Sequence, residues 1–321
     1  MKDFQFGNVL GLMAKTAPFL LFRFLIYFGI TLGFILITGA GAGIGYGMGR
    51  IADNAAAGGM WGGMIGFGIA SAIMYMIREY LLYIVKAGHI AVLVELIDGR
   101  EIPGGKNQIA YAKEKVQERF AASSLLFGLD QLIKGILRAF NRVFLTVGSL
   151  IPIPGARNAI KFLNTIVNLS LTYLDEVILA HLMRTRAENP WASSRTALVL
   201  YAQNYMAFLK NAVWLAAFIW VMTFLVFLLV LAPAGLLVSI FPGSAGPLTL
   251  MVALVFAWGV KQAVIEPIGM TALMQVFFKV TEGQTPNPEW EAKLDNVSAK
   301  FGQLKQKAST WEPATPSAPP A

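Results

Sequence analysis

Asp130, Lys134, Arg138 and Arg142 recur at strict four-residue spacing, so a helix through them carries one acid and three bases on a single face. Asp130 can pair with Lys134, whereas Arg138 and Arg142 need partners from elsewhere. Those partners are side chains of another helix if the face is buried in a bundle, or lipid phosphate if it lies on a membrane surface. The buried network is the arrangement expected for Asp130, Lys134, Arg138 and Arg142: an antiparallel return brings Asp175 and Glu176 to the Asp130 end, with Lys134 as their contact, and brings Asn164 and Asn168 near Arg142 and Arg138.

Little else has the makings of a catalytic centre. The two histidines, His89 and His181, have no second ligand at metal spacing, so packing roles and no metal are expected. Without cysteine there is no thiolate nucleophile, disulfide or cysteine-based zinc site. Asp175 and Glu176 are adjacent and point to different faces of a helix, which disfavours a two-carboxylate mechanism. Neither GxGxxG nor GxxxxGK[ST] fits anywhere, so a nucleotide-cradling loop is not expected. The sequence is read as a non-enzyme without a cofactor.

The elements that must carry these residues are membrane helices. Of the 321 residues 56% are hydrophobic and only 14% charged, with a mean hydropathy of +0.60, whereas a soluble domain has about 25% charged residues. The net charge of +8 fits loops held beside anionic lipid better than nucleic acid as a partner. The first apolar stretch, Pro18 to Tyr46, is far too long for the apolar region of a signal peptide and reads as a retained span. The fold class expected is all-α, a polytopic transmembrane bundle.

Glycines phase the first two spans. Gly41, Gly45 and Gly49 form one row at four-residue spacing, Gly39, Gly43 and Gly47 a second, and Gly58, Gly62 and Gly66 a third. Small residues at this spacing let helix backbones approach closely in lipid, so residues 1–85 should form a tight hairpin turning at Asp53-Asn54. Gly41, Gly43, Gly45, Gly58, Gly62 and Gly66 are its expected packing positions. A basic helical segment, 86–119, follows. Ala212 to Ile240 and Pro247 to Met270 give two further spans. With Lys and Arg concentrated between and after the hairpins, both termini are expected in the cytoplasm of a cell whose inner membrane holds the chain.

The central helices, Ala121 to Leu150 and Ala159 to Met183, mix charge with apolar residues. If both span, the count is about six; if both are interfacial, it is four.

Four short runs, Ser123-Ser-Leu-Leu-Phe-Gly128, Ile136-Leu-Arg138, Lys161-Phe-Leu-Asn164 and Ser194-Arg-Thr-Ala197 through Lys210-Asn211, resemble the choline transporter-like family in order and spacing. The closing region, Phe256-Ala-Trp-Gly259 to Gly283, is similar to that family's last span. The resemblance, within residues 120–283, implies an all-helical transporter-like protein and an organic cation such as choline as substrate. A quaternary ammonium is held by aromatic faces and a carboxylate. Tyr173, Asp175, Tyr201, Trp214, Trp220, Trp258 and Glu266 are therefore the candidate binding residues. An interfacial belt is the competing reading of the aromatics. The alternative function is a non-transporting scaffold or accessory subunit, packed as a homo-oligomer or with a membrane partner through the glycine faces.

Beyond the spans, Asn287-Pro288 offers an N-cap and a first-turn proline. Trp290, Leu294, Val297, Phe301 and Leu304 then recur at spacings of four and three. One amphipathic helix over 284–308, docked by that face, is expected, followed by a flexible Pro/Ala-rich tail, 309–321.

Overall fold

The computed structural model describes residues 3–102, 107–119, 128–139, 157–239 and 245–312. Among them there is no strand. The helices run α1 (Phe6–Lys15), α2 (Ala17–Ile51), α3 (Ala55–Ile97), α4 (Gln108–Arg119), α5 (128–139), α6 (Arg157–Thr172), α7 (Leu174–Thr185), α8 (Pro190–Gln203), α9 (Tyr205–Val238), α10 (Ala245–Val260), α11 (Glu266–Val280), α12 (Pro288–Val297) and α13 (Ala299–Ser309). Among the described residues five segments are long and apolar enough to cross a membrane: Ala17–Ile51, Ala55–Tyr75, Thr165–Thr185, Tyr205–Leu236 and Val252–Val280. The chain is a helical membrane protein.

The described part of α5 is not among those five. Its described residues, 128–139, carry Asp130, Lys134 and Arg138, and the rest of the central helix expected over Ala121 to Leu150 lies outside the described residues, while the second central helix supplies the candidate span Thr165–Thr185. The candidates also differ in exposure. Between 11% and 17% of the most apolar window is buried in Ala17–Ile51, Ala55–Tyr75 and Tyr205–Leu236, against 61% in Thr165–Thr185 and 72% in Val252–Val280. The first three offer their side chains outward, as lipid-facing helices do. The last two have most of theirs covered by protein.

Two compact units divide the chain, and neither is a continuous stretch of it. One comprises Ala17–Lys86 and Thr223–Glu266, the other Met1–Thr16, Ala87–Met222 and Pro267–Ala321.

The first unit is apolar and built on the glycine hairpin. The turn sits at Asp53, whose φ of 52° is tolerated by a short polar side chain, and the Asn54 side chain accepts from the Ala57 amide at 3.3 Å. Gly41, Gly45 and Gly49 face Gly58, Gly62 and Gly66 with nothing but hydrogens between the two backbones. Gly43 does not join them: a Cβ added there, or at Gly39 or Gly47, would meet nothing within 4 Å. One α-helical stripe fills the seam, and the row two residues away necessarily points elsewhere. In the same unit, Tyr27, Leu82 and Ala263 form a small core, and Tyr27 meets the Trp258 ring edge-on at 5.7 Å. Between α10 and α11 the helix widens to a π turn, Lys261–Ile265, where the Glu266 amide bonds the Lys261 carbonyl. Pro267 follows directly and has no amide hydrogen to continue the ordinary ladder.

The second unit has a conventional core. Ile90, Leu93, Ile136, Ile166, Leu174, Ile178, Leu198, Phe208 and Phe277 are almost completely buried. The Tyr173 ring lies against the backbone of Gly269, where an added Cβ would be 3.1 Å from it. At the N-terminal end, Thr16 donates to the Leu12 carbonyl at 2.8 Å. Its oxygen therefore accepts from His89 Nε2 at 2.9 Å, which fixes the ring tautomer. Asp3 binds Lys210 Nζ at 2.7 Å and the Asn211 side chain at 2.7 Å. An ionic network joins the end of α3 to three other helices. Glu95 accepts from Arg100 and, at 2.9 Å, from the Tyr111 hydroxyl. Asp98 binds Arg100 at 3.0 Å and Arg184 at 2.8 Å, and Arg184 stacks over Phe278 at 4.3 Å.

The C-terminal segment is two helices rather than the one expected. Ser298, with φ −142° and ψ 108°, breaks it between α12 and α13, as befits a residue that favours caps over helix interiors. Leu294, Phe301 and Leu304 are buried. Arg195 pairs with Glu291 at 2.8 Å, Lys307 lies over the Trp191 ring at 4.7 Å, and the Asn189 side chain donates to the Ala308 carbonyl at 2.7 Å. All three contacts fasten the segment to α8 or its cap. The Lys300 side chain reaches Gly135 of α5. Residues 313–321 of the expected tail lie outside the described residues.

Candidate functional site

Charge gathers where α5 passes the junction of α6 and α7. The junction is a break at Tyr173, next to Thr172, whose hydroxyl donates to the Asn168 carbonyl at 2.7 Å. Asp175 and Glu176 thereby fall in the first turn of α7, where unpaired backbone amides favour negative charge. Lys134 Nζ sits 2.7 Å from Asp130 and 3.9 Å from Asp175. Burial pushes the Asp130 carboxyl above the usual aspartate range. Lys134 draws it down, and nearby Glu176 pushes it further up.

Beside this cluster is a cavity of about 390 Å³, lined by Lys134, Leu137, Arg138, Asn168, Leu171, Thr172 and Asp175. The expected burial of the whole ladder holds for Asp130 and not for Arg138, because exposure rises along it. Asp130 is 7% exposed and Lys134 35%, while Arg138 is open to the surroundings and has no ion-pair partner among the described residues. Arg142, the fourth rung, and the Asn164 side chain lie outside the described residues.

The other residues expected to bind a cation do not join this cavity. Tyr173 is buried against Gly269. The Tyr201 hydroxyl is 2.6 Å from that of Ser170, its ring 4.4 Å from Phe208, and burial raises its phenol to about 12. Trp214 and Trp220 point outward from α9, more than half exposed. Trp258 belongs to the other compact unit, beside Tyr27, and Glu266 there pairs with Lys261. Each aromatic ring thus has a packing or surface role, and the two candidate carboxylates both have lysine partners. His181 rests edge-on against Phe277 at 5.6 Å.

Thr172 and Lys261 were not anticipated from sequence. Thr172 lies four residues beyond Asn168, a spacing that puts both on one helix face. Lys261 lies five residues before Glu266, a spacing that brings side chains together only in a π turn.

Along the glycine seam a second hollow, about 710 Å³, is lined by glycines, Ala40 and apolar side chains including Ile44, Met48, Trp61 and Ile65. Its lining has the chemistry of acyl chains. No known family, characterised protein or solved structure matches the chain.

Proposed function

We propose that this chain is a transporter-like membrane protein that receives the cationic head of a small organic molecule at the junction of α5, α6 and α7. One observation carries the reading: the carboxyls of Asp130 and Asp175 meet at the ammonium of Lys134, with Glu176 near Asp130, next to an accessible cavity. Lys134 stands farther from Asp175 than from Asp130, so Asp175 is the carboxylate best placed to receive a second cation. The resemblance to the choline transporter-like family supports the same class of ligand. Among the described residues the cavity lining has no aromatic ring, so the carboxylate rather than a cation–π cage is the main attraction in this reading. Both termini are assigned to the cytoplasm of an inner membrane on the Lys and Arg distribution.

Purified protein in liposomes should accumulate labelled choline above empty vesicles, and Asp175→Asn should abolish the difference. Absence of uptake by folded wild-type protein would leave the scaffold reading. That reading draws support from the Gly39, Gly43 and Gly47 row, which is open to a neighbouring helix. A stable oligomer in detergent that Gly43→Leu dissociates would favour it.

A further inference from the structure

The cavity is bipolar. Asp175, 11% exposed, shares Lys134 with buried Asp130 and precedes buried Glu176. Arg138, exposed and one helical turn beyond Lys134, lines the same space without an ion-pair partner among the described residues. A lone organic cation would answer the carboxylate and leave the guanidinium facing its like charge. We infer that the preferred ligand is a zwitterion, an ammonium or quaternary ammonium compound that also carries an oxyanion, with its cationic end at Asp175 and its oxyanion on Arg138.

The guanidinium presents paired N–H donors in a planar fork that matches carboxylate and phosphate oxygens. Leu137 and Leu171 supply apolar lining for methyl or methylene groups. A volume of about 390 Å³ is ample for a molecule with two charged ends joined by a few carbons. Arg138 is thereby a specificity residue and Asp175 an affinity residue of one site.

The inference rests on the cation-binding reading, and the experiment separates the two. Binding of choline, glycine betaine and phosphocholine to the purified full chain is measured by calorimetry, with inorganic phosphate as an anion control. At least one zwitterion should bind roughly ten- to a hundredfold more tightly than choline, the gain typical of a charge-assisted hydrogen bond. The stronger of the two identifies carboxylate or phosphate as the oxyanion. Arg138→Gln should bring the zwitterion-to-choline ratio close to one, and Arg138→Lys, which keeps the charge and loses the fork, should give an intermediate ratio. Choline binding as tightly as both zwitterions, or a ratio indifferent to Arg138→Gln, would overturn the inference while leaving cation binding intact. Inorganic phosphate competing as well as the zwitterions would reduce the site to an anion site and overturn it too. If none of the three organic ligands binds, the cation-binding reading falls and takes the inference with it.

Discussion

Gly45 and Gly62 meet backbone to backbone: a Cβ added at either would lie 2.8 Å from the Cα of the other. Two helices in lipid gain nothing from hydrophobic burial against each other, so their association depends on close van der Waals contact. Gly45→Leu or Gly62→Leu should therefore destabilise the hairpin by on the order of 3 kcal/mol, the upper range for overpacking. Gly43→Leu, on the open row, should change the monomer's stability little. Thermal unfolding in detergent checks this, and a Gly62→Leu melting temperature equal to wild type would sink the seam.

The charged ladder makes a graded prediction. Lys134→Ala removes the ammonium beside buried Asp130, at a cost of roughly 1–3 kcal/mol, below the fully buried value because Lys134 is 35% exposed. Arg138→Ala should cost less than about 0.5 kcal/mol, as an exposed side chain without an ion pair among the described residues. Equal losses in the two variants would mean that Arg138 is as deeply engaged as Lys134.

The Glu95 network titrates in acid. Burial alone would raise the Glu95 carboxyl, but hydrogen bonds from Arg100 and Tyr111, with the Arg100 charge, outweigh it and hold the group below its ordinary value of 4.5. A lowered carboxyl gives stability that is fully present above its unfolded value and is lost as pH falls through the folded one. Wild-type melting temperature should thus drop below about pH 4.5, and Glu95→Gln should drop less steeply over that window. Parallel curves for the two would exclude Glu95 as a contributor.

The docked C-terminal pair is testable by truncating one side chain. Phe301 is 0% exposed, so Phe301→Ala should cost about 3–5 kcal/mol. In hydrogen exchange, amides of 299–309 should be protected in wild type and released in the variant. Exchange in the wild type as fast there as in an unfolded peptide would argue against docking.

Orientation can be read with single cysteines, since the chain has none of its own. Asp53→Cys should react with an impermeant thiol reagent in intact cells and Lys305→Cys should not. The reverse pattern would invert the assignment.

Helical class and the hairpin were legible because lipid imposes long apolar runs and small-residue spacing. Which of two glycine rows on α2 closes the seam was not. Both have the same spacing, so the glycine pattern on α2 does not say which of them meets the returning helix. The meeting of Lys134 with Asp175 followed from antiparallel return. By contrast, the bond from Arg184 to Asp98 joins residues 86 positions apart, with no local pattern to mark it. The break at Ser298 was hidden for another reason. The apolar spacing runs through it undisturbed, and only the capping preference of a single serine betrays it.

Because one compact unit takes its residues from both ends of the chain, its assembly is bound to the order of synthesis. The glycine hairpin is complete once residue 86 has left the ribosome, and it can enter the bilayer at once. Asp3 must wait for Lys210 and Asn211, and α8 for the helices after residue 287. Insertion therefore precedes closure, and a ribosome stalled late in the message would leave an anchored but unclosed chain, a substrate for membrane quality-control proteases rather than for soluble ones.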